Sequence, residues 1–285
     1  MSAPEGQPDG EDPRSGNARA DAQSQFSRYA QPLVSEALAR VAALDTEPET
    51  LHKLRVALRR LRTLLWAWRP LLGRTFVDRQ RAFLKRAASA AGEARDWDIA
   101  IALLGKDSAA ALADERLASA REAARDHARE TLSATDLKHA LRDMLHEMNR
   151  ALNTSPRRTP LKRLARERVR VARRSLGKRM RRARRAKRRD YAAWHEVRKG
   201  AKRLRYLLEF FESILPRRET RHLKSLKRIQ NRFGKLNDAV ASERLIADHR
   251  EIFADSSNAD AALAALGRER KKRRKKAANL LAKLA

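Results

Sequence analysis

The chain has 285 residues, of which 66 are Lys or Arg and 35 are Asp or Glu, so that its formal net charge is +31. A charge of this size predicts an anionic partner, such as nucleic acid, an anionic membrane or another polyanion. The absence of Cys excludes a disulfide framework and thiolate catalysis, and it is typical of a reducing compartment.

The first 25 residues, MSAPEGQPDGEDPRSGNARADAQSQ, are polar and acidic. This composition predicts a disordered tail. The segment lacks the basic start and apolar run of a signal peptide, and no apolar stretch of the chain reaches membrane-spanning length. We therefore expect a soluble cytoplasmic protein that does not insert into a membrane.

After the tail, apolar residues follow the helical period, and Pro interrupts the pattern at Pro48, Pro70, Pro156 and Pro216. Pro lacks a backbone donor and restricts the residue before it, so that these positions predict breaks. The predicted helices span residues 26–44, 50–70, 75–104, 109–133, 136–152, 160–188, 191–215, 218–234, 237–254 and 258–284. The predicted fold class is all-α, packed as bundles.

Two motifs occur twice in the chain at nearly the same offset. HKLRVALRRLRTLL at 52–65 recurs as HEVRKGAKRLRYLL at 195–208, 143 residues later. LKRAASAAGEARDWD at 84–98 recurs as LKRIQNRFGKLNDAV at 226–240, 142 residues later. We interpret the chain as a tandem duplication of a helical unit.

The first repeated motif aligns its cations along one side of a helix, within an arc of about 80°. These residues are His52, Arg55, Arg59 and Arg62 in the first copy and His195, Arg198, Lys202 and Arg205 in the second. We call these two rows the basic stripes, and each adjoins an apolar stripe. Like charges at this spacing destabilise a helix by about 0.2–0.5 kcal/mol per pair. A pattern kept twice therefore predicts an external anion, with a solvated charged face as the alternative. If the halves pack around a pseudo-two-fold axis, both stripes line one groove.

The segment between the two repeats is the most basic part of the chain. Residues 157–189 contain 18 Lys or Arg and one acid, Glu167. Next to its apolar stripe lie three further candidate contacts, Arg166, Arg170 and Arg173. Residues 178–189 are expected to face solvent, and residues 268–276 are similarly basic. Whether these two segments contact the ligand is left open.

The composition also bears on which anion is bound. Arg matches phosphate oxygens with two parallel donors, and a His beside bound phosphate is expected to have a raised pKa. Binders of single-stranded nucleic acid add aromatic stacking platforms, but only 5% of this chain is aromatic, and Tyr206 alone lies near a stripe. The pattern favours a phosphate polymer, with nucleic-acid binding as the alternative.

Signatures of catalysis and metal binding are missing. The chain has no Walker A, GxSxG or HExxH motif. His139 and His146 share a helical face, but cations surround the histidines of the stripes, so that we expect no metal site of the protein alone and no cofactor. A divalent metal carried in with bound phosphate is the alternative left open. Asp96 and Asp238 hold equivalent positions in the two halves. An ion pair or helix cap is favoured for them, and a polyphosphate-processing enzyme is the second alternative.

The repeated H-x-x-R-x-x-x-[RK]-R-x-R elements, each followed by G-x-x-x-D at 92–96 and 234–238, resemble the CHAD domain, the conserved histidine α-helical domain. The similarity covers nearly the whole chain after the tail. It implies two pseudo-symmetric four-helix bundles with a central basic groove. The corresponding boundaries are a first half at about 26–135, a linking helix at about 136–155 and a second half at about 160–285.

The resemblance also implies a function, the binding of inorganic polyphosphate in the groove. Some family members associate with polyphosphate or polyhydroxyalkanoate granules. Carried over position by position, the ligands are His52, Arg55, Arg59, Arg62, His195, Arg198, Lys202 and Arg205, with Lys85 and Lys227. Many relatives carry a triphosphatase domain of the CYTH type with an ExExK strand. This chain has no such strand, and we therefore expect no enzymatic activity.

Overall fold

The computed structural model describes residues 20–44, 49–105, 114–187 and 190–284. Within these ranges nine long helices form. They are α1 (Phe26–Ala42), α2 (Thr50–Trp68), α3 (Arg74–Leu104), α4 (Asp114–Ala134), α5 (Leu137–Asn153), α6 (Leu161–Arg185), α7 (Tyr191–Phe210), α8 (Leu223–Asp248) and α9 (Ser256–Lys283). Short helical turns occur at Arg69–Leu71, Arg217–Thr220 and Arg250–Ile252. The all-α prediction is confirmed. None of the described helices combines the length and apolarity needed to cross a bilayer.

The helix boundaries differ from the predicted ones mainly in the second half. The predicted helices 218–234 and 237–254 are one continuous helix, α8, because Gly234 is buried inside it and packs against another helix. A helical Gly costs about 1 kcal/mol relative to Ala, which packing offsets readily. Helix α7 ends at Phe210, several residues before the predicted break at Leu215-Pro216.

The helices pack in two sets, one from the first half of the chain and one from the second. Helix α2 packs between α1 and α3, and α7 packs in the same way between α6 and α8. Helix α5 joins the first set by packing on α1, while contacts of α3 with α8 and of α2 with α7 hold the two sets together. The equivalent packing matches the repeat positions, although the duplication itself stays an inference from the sequence.

The apolar stripes beside the basic ones form the core. Leu54, Leu58 and Leu65 of α2 are fully buried, as are Val197 and Leu208 of α7. Burial of such side chains stabilises the fold by about 1.5–3 kcal/mol each. Because the basic stripes adjoin this core, the first atoms of their side chains lie between helices, where little water reaches them.

The folded part of the chain begins before residue 25, where the predicted disordered tail ends. Residues 1–19 lie outside the described chain, but Ala22 is fully buried and its backbone N–H donates to the carbonyl oxygen of Thr159 at 2.7 Å. The indole N–H of Trp68 donates to the carbonyl oxygen of Ala22, also at 2.7 Å. Residues 20–25 are therefore part of the fold, because a long-range partner satisfies their backbone.

Candidate functional site

The two basic stripes meet where α2 faces α7. Arg55 and Arg59 of α2 lie close to Arg198 and Lys202 of α7, and the charge of Arg55 lowers the pKa of each of the other three. We call these four residues the central cluster. Their side chains are half-buried, with 26% of the Arg55 side chain and 20% of the Arg198 side chain exposed. The structure thus brings together four of the predicted ligands from both halves.

The electrostatics of the central cluster are dominated by unfavourable desolvation of its charges. Burial, with Arg59, Arg198 and Arg55 acting in the same direction, lowers the pKa of Lys202 to about 6. Burial also lowers the pKa of Arg59 to about 10. Neither Arg59 nor Lys202 forms an ion pair with a carboxylate of the described chain. An anion that enters the cluster would relieve this repulsion and favour the charged form of Lys202.

The repeated G-x-x-x-D element explains how α3 holds Arg55 in place. A Cβ on Gly92 would lie 2.9 Å from Cζ of Arg55, so that only glycine leaves room for the guanidinium where it lies. Nη1 of Arg55 donates to the carbonyl oxygen of Gly92 at 3.4 Å and lies 3.6 Å from Oδ1 of Asp96. The glycine therefore admits the arginine, and the aspartate one turn later pairs with it.

The second half repeats this arrangement on α8. Nη2 of Arg198 lies 3.8 Å from Oδ1 of Asp238, and a Cβ on Gly234 would lie 3.4 Å from Nε of Arg198. Burial raises the pKa of Asp96, Arg55 opposes the rise, and Asp238 from the other half adds to it. The favoured reading of both aspartates as ion-pair partners agrees with this geometry. Arg55 and Arg198 of the basic stripes therefore have carboxylate partners within the protein.

The two histidines occupy the ends of the stripes. Nδ1 of His195 makes a hydrogen bond with Oδ1 of Asn237 on α8. Partial burial lowers the pKa of His52, and Arg95, Arg59 and Arg55 add to this effect. Burial likewise lowers the pKa of His195, although its bond to Asn237 acts in the opposite direction. Without a ligand both histidines therefore favour the neutral form.

Arg62 and Arg205, at the other end of the stripes, have different environments. Nη1 of Arg205 donates to Oε1 of Glu209 at 3.0 Å, so that an acid on its own helix already partners it. Arg62 has Arg81 of α3 as its charged neighbour, and burial together with Arg81 lowers its pKa. The last residues of the two stripes, Arg62 and Arg205, therefore do not have equivalent surroundings.

Five further predicted ligands lie apart from the central cluster. Lys85, Lys227, Arg166 and Arg170 are exposed, and no hydrogen bond or ion pair joins them to the stripes within the described chain. Nη2 of Arg173 lies 2.5 Å from Oε2 of Glu219. The structure therefore does not gather these five with the other predicted ligands.

A second group of cations, which was not predicted from the sequence, surrounds Trp66. Arg168 is 8% exposed, its Cζ lies 3.7 Å from the centroid of the Trp66 ring, and its Nη2 donates to the Trp66 carbonyl oxygen at 2.8 Å. That oxygen lacks the usual helical donor because residue 70 is Pro. Arg203 lies over the same ring at 4.8 Å. In the sequence, Arg168 lies on the apolar stripe of α6, between Leu164 and Ala172. This position could have indicated that its side chain is buried.

Tyr206, the aromatic residue near a stripe, has a structural position. Its ring is buried, with the guanidinium of Arg205 at 4.7 Å and that of Arg60 at 5.6 Å from its centroid. These contacts leave the ring unable to stack on a ligand base. Among the described residues, no group of three or more acidic or His side chains is placed to hold a metal ion. The chemistry of the site is therefore donation of N–H groups to anionic oxygens.

Comparison with known proteins identifies a family and solved structures with a similar fold. The family model described as the CHAD domain matches residues 28–247. The crystal structure of the CHAD domain from the plant Ricinus communis matches with a TM-score of 0.78 and 24% identity, over 93% of this chain and 92% of that chain. PptA from Streptomyces chartreusis matches with a TM-score of 0.58 and 17% identity, over 92% and 96% of the two chains. A search of curated proteins gave no match. At these identities the two solved structures establish the fold alone.

Proposed function

The chain belongs to the CHAD domain family, and from this premise we propose that it binds inorganic polyphosphate in a basic groove formed by the two stripes. One observation supports the proposal most. Arg59 and Lys202, from opposite halves, lie close to each other with no carboxylate partner in the described chain, although burial disfavours the charge of both. Such a cluster is stabilised when closely spaced anionic oxygens enter it.

A phosphate polymer fits the central cluster better than nucleic acid does. Polyphosphate presents charge at short intervals and carries no bases, so that it needs no aromatic platform. Tyr206, the aromatic residue that the sequence places near a stripe, is already covered by arginines. The proposal places the protein in the cytoplasm, with polyphosphate or polyhydroxyalkanoate granules as its partners.

We also propose that binding is not accompanied by catalysis. The two carboxylates of the site, Asp96 and Asp238, pair with Arg55 and Arg198 rather than standing ready to activate a water molecule. Incubation of the protein with polyphosphate and Mg²⁺ or Mn²⁺ should therefore release no phosphate. Steady turnover that disappears in an Asp96→Ala/Asp238→Ala variant would establish an enzyme instead.

A calorimetric comparison of two double variants tests the proposed site. Arg59→Gln/Lys202→Gln removes two cations from the central cluster, and Lys138→Gln/Arg142→Gln removes two exposed cations from α5. Charge-assisted hydrogen bonds contribute about 1.5–3 kcal/mol each, so that the first variant should bind polyphosphate at least about tenfold more weakly. The second should stay within about twofold of the wild type, since it loses only distant, screened charge. Equal losses would mean that net charge governs affinity.

Competition separates polyphosphate from nucleic acid as the ligand. Long-chain polyphosphate should displace labelled RNA or DNA far better than the reverse, at equal phosphate concentration and physiological salt. Equal displacement in both directions would favour a general polyanion binder.

A further inference from the structure

A second concentration of cations lies at the C-terminal end of α6, away from the central cluster. The side chains there line a cavity of about 600 Å³. The lining cations are Lys178, Arg181, Arg182, Arg185 and Lys187, all of them exposed. We call this the α6 cavity. The neighbouring Arg188 and Arg189 lie outside the described residues.

The acid that borders the α6 cavity is already engaged. Asp190 caps α7, where its Oδ1 accepts the backbone N–H of Ala193 at 3.1 Å. None of the five lining cations forms an ion pair with a carboxylate of the described chain. The cavity thus combines concave shape with uncompensated positive charge.

Two ordinary explanations for basic residues, a favourable interaction with the helix dipole and ion pairing within the protein, do not account for the α6 cavity. Cations in the last turn of a helix interact favourably with its dipole, which explains Arg182 and Arg185 but not Lys178, more than a turn from the helix end. The basic run of α9 is partly paired, since Arg270 lies 2.8 Å from Glu243 and Arg273 lies 2.7 Å from Glu269. In α6, no acid follows Glu167 before the helix ends. An external anion is the partner that this end of α6 lacks.

A line of arginines connects the central cluster with the α6 cavity. Arg62, at the end of its stripe, has Arg81 as its charged neighbour. Burial lowers the pKa of Arg203 to about 10, and Arg179 and Arg81 are the cations that add most to this shift. Arg179, which follows Lys178 of the cavity in the chain, reaches α7, where its Cδ would lie 3.2 Å from a Cβ on Gly200, one turn before Arg203. Arg179 and Arg81 each have an acid partner, Glu196 at 3.2 Å and Asp78 at 3.5 Å. Successive cations therefore lie near one another from α2 through α3 and α7 to α6.

We propose that a long polyphosphate leaves the central cluster along these arginines and continues into the α6 cavity, which acts as a second binding segment. This inference rests on the proposed function and adds a dependence on chain length to it. None of the described residues that line the cavity is aromatic, so that these residues offer phosphate contacts without a stacking platform for bases. A short phosphate oligomer fills the central cluster alone, whereas a long chain contacts both segments.

The test compares tripolyphosphate with long-chain polyphosphate by isothermal titration calorimetry at several salt concentrations. The variant Lys178→Gln/Arg182→Gln/Arg185→Gln removes three of the five lining cations. The matched control, Lys138→Gln/Arg142→Gln/Arg150→Gln, removes the same charge from the exposed surface of α5. All six positions are exposed, and circular dichroism should show unchanged helix content and melting for both variants.

The cavity variant should bind long-chain polyphosphate at least about tenfold more weakly than the control does, with a slope of log K against log salt that is shallower by about 2, because three phosphate contacts are lost. Its affinity for tripolyphosphate should equal that of the control. The inference would be overturned if the cavity variant and the control lost the same affinity for long-chain polyphosphate. It would also be overturned if the cavity variant lost as much affinity for tripolyphosphate as for the long chain. If the wild-type protein bound neither ligand, the proposed function itself would fail, and this result is distinct from the other two.

Discussion

Arg55 and Gly92 are in direct contact across α2 and α3, with Nη1 of the arginine 3.4 Å from the carbonyl oxygen of the glycine. The contact joins the two motifs that recur in the sequence, since the arginine belongs to the basic stripe and the glycine to the G-x-x-x-D element. It also fixes where a cation of the central cluster points.

The substitution Gly92→Ala should weaken polyphosphate binding without unfolding the protein. Its Cβ would lie 2.9 Å from Cζ of Arg55 and would push the guanidinium away, while alanine favours the helix by about 0.5–1 kcal/mol. Loss of one charge-assisted contact should reduce affinity about tenfold, as measured by calorimetry. Gly234→Ala is the control, because there the nearest approach to Arg198 is 3.4 Å. Equal affinities of the two variants would show that the position of Arg55 is unimportant for binding.

Replacing both aspartates of the site should strengthen polyphosphate binding. Asp96 and Asp238 pair with Arg55 and Arg198 and compete with phosphate oxygens for them. In Asp96→Asn/Asp238→Asn the shape of the side chains is kept and two negative charges are removed, so that affinity should rise by about threefold or more. The control is Asp143→Asn/Glu147→Gln on the surface of α5, which should change affinity less. Weaker binding in the site variant would mean that the aspartates serve to orient the arginines.

Polyphosphate affinity should fall as the pH rises from about 6 to about 8, the range that begins at the pKa of Lys202 in the free protein. Above this pKa the empty site holds Lys202 uncharged, whereas bound phosphate favours the charged ammonium, so that binding must take up a proton. The histidines of the stripes add to the slope in the same direction, because the pKa of each is lowered without ligand.

Calorimetry in two buffers of different ionisation enthalpy measures this proton uptake directly. Lys202→Arg should flatten the profile, since arginine keeps its charge over this range. A pH-independent affinity of the wild-type protein, with no proton uptake, would contradict the prediction.

Arg168→Ala should lower the free energy of unfolding by about 1–3 kcal/mol. The substitution removes the donor to the Trp66 carbonyl oxygen, which Pro70 cannot replace, and it removes the guanidinium that covers the Trp66 ring. Urea denaturation measures the loss, and Arg166→Ala, two residues away and exposed, should change stability by less than about 0.5 kcal/mol. Arg168→Lys should recover part of the loss, because an ammonium can also donate to the carbonyl. A stable Arg168→Ala variant would show that the carbonyl finds another donor.

The sequence alone determined the all-helical fold class, the positions of most helices, the core and the repeated cations. Apolar residues at helical spacing select a buried face wherever the helix packs, so that Leu54 and Leu58 were identifiable as core residues, and both are fully buried. The same periodicity placed Arg55 and Arg59 on one stripe. These features are local, since each depends only on residues within a few turns of the same helix.

Only the tertiary structure decided which cations meet and how each is compensated. Arg55 and Gly92 are 37 residues apart, and Arg168 and Trp66 are 102 residues apart, so that helical periodicity carries no information about either contact. The lowered pKa of Lys202 likewise arises from its burial, to which the arginines of both halves that gather around it add. Desolvation and charge repulsion depend on distance through space, and that distance is set by the packing of one helix on another.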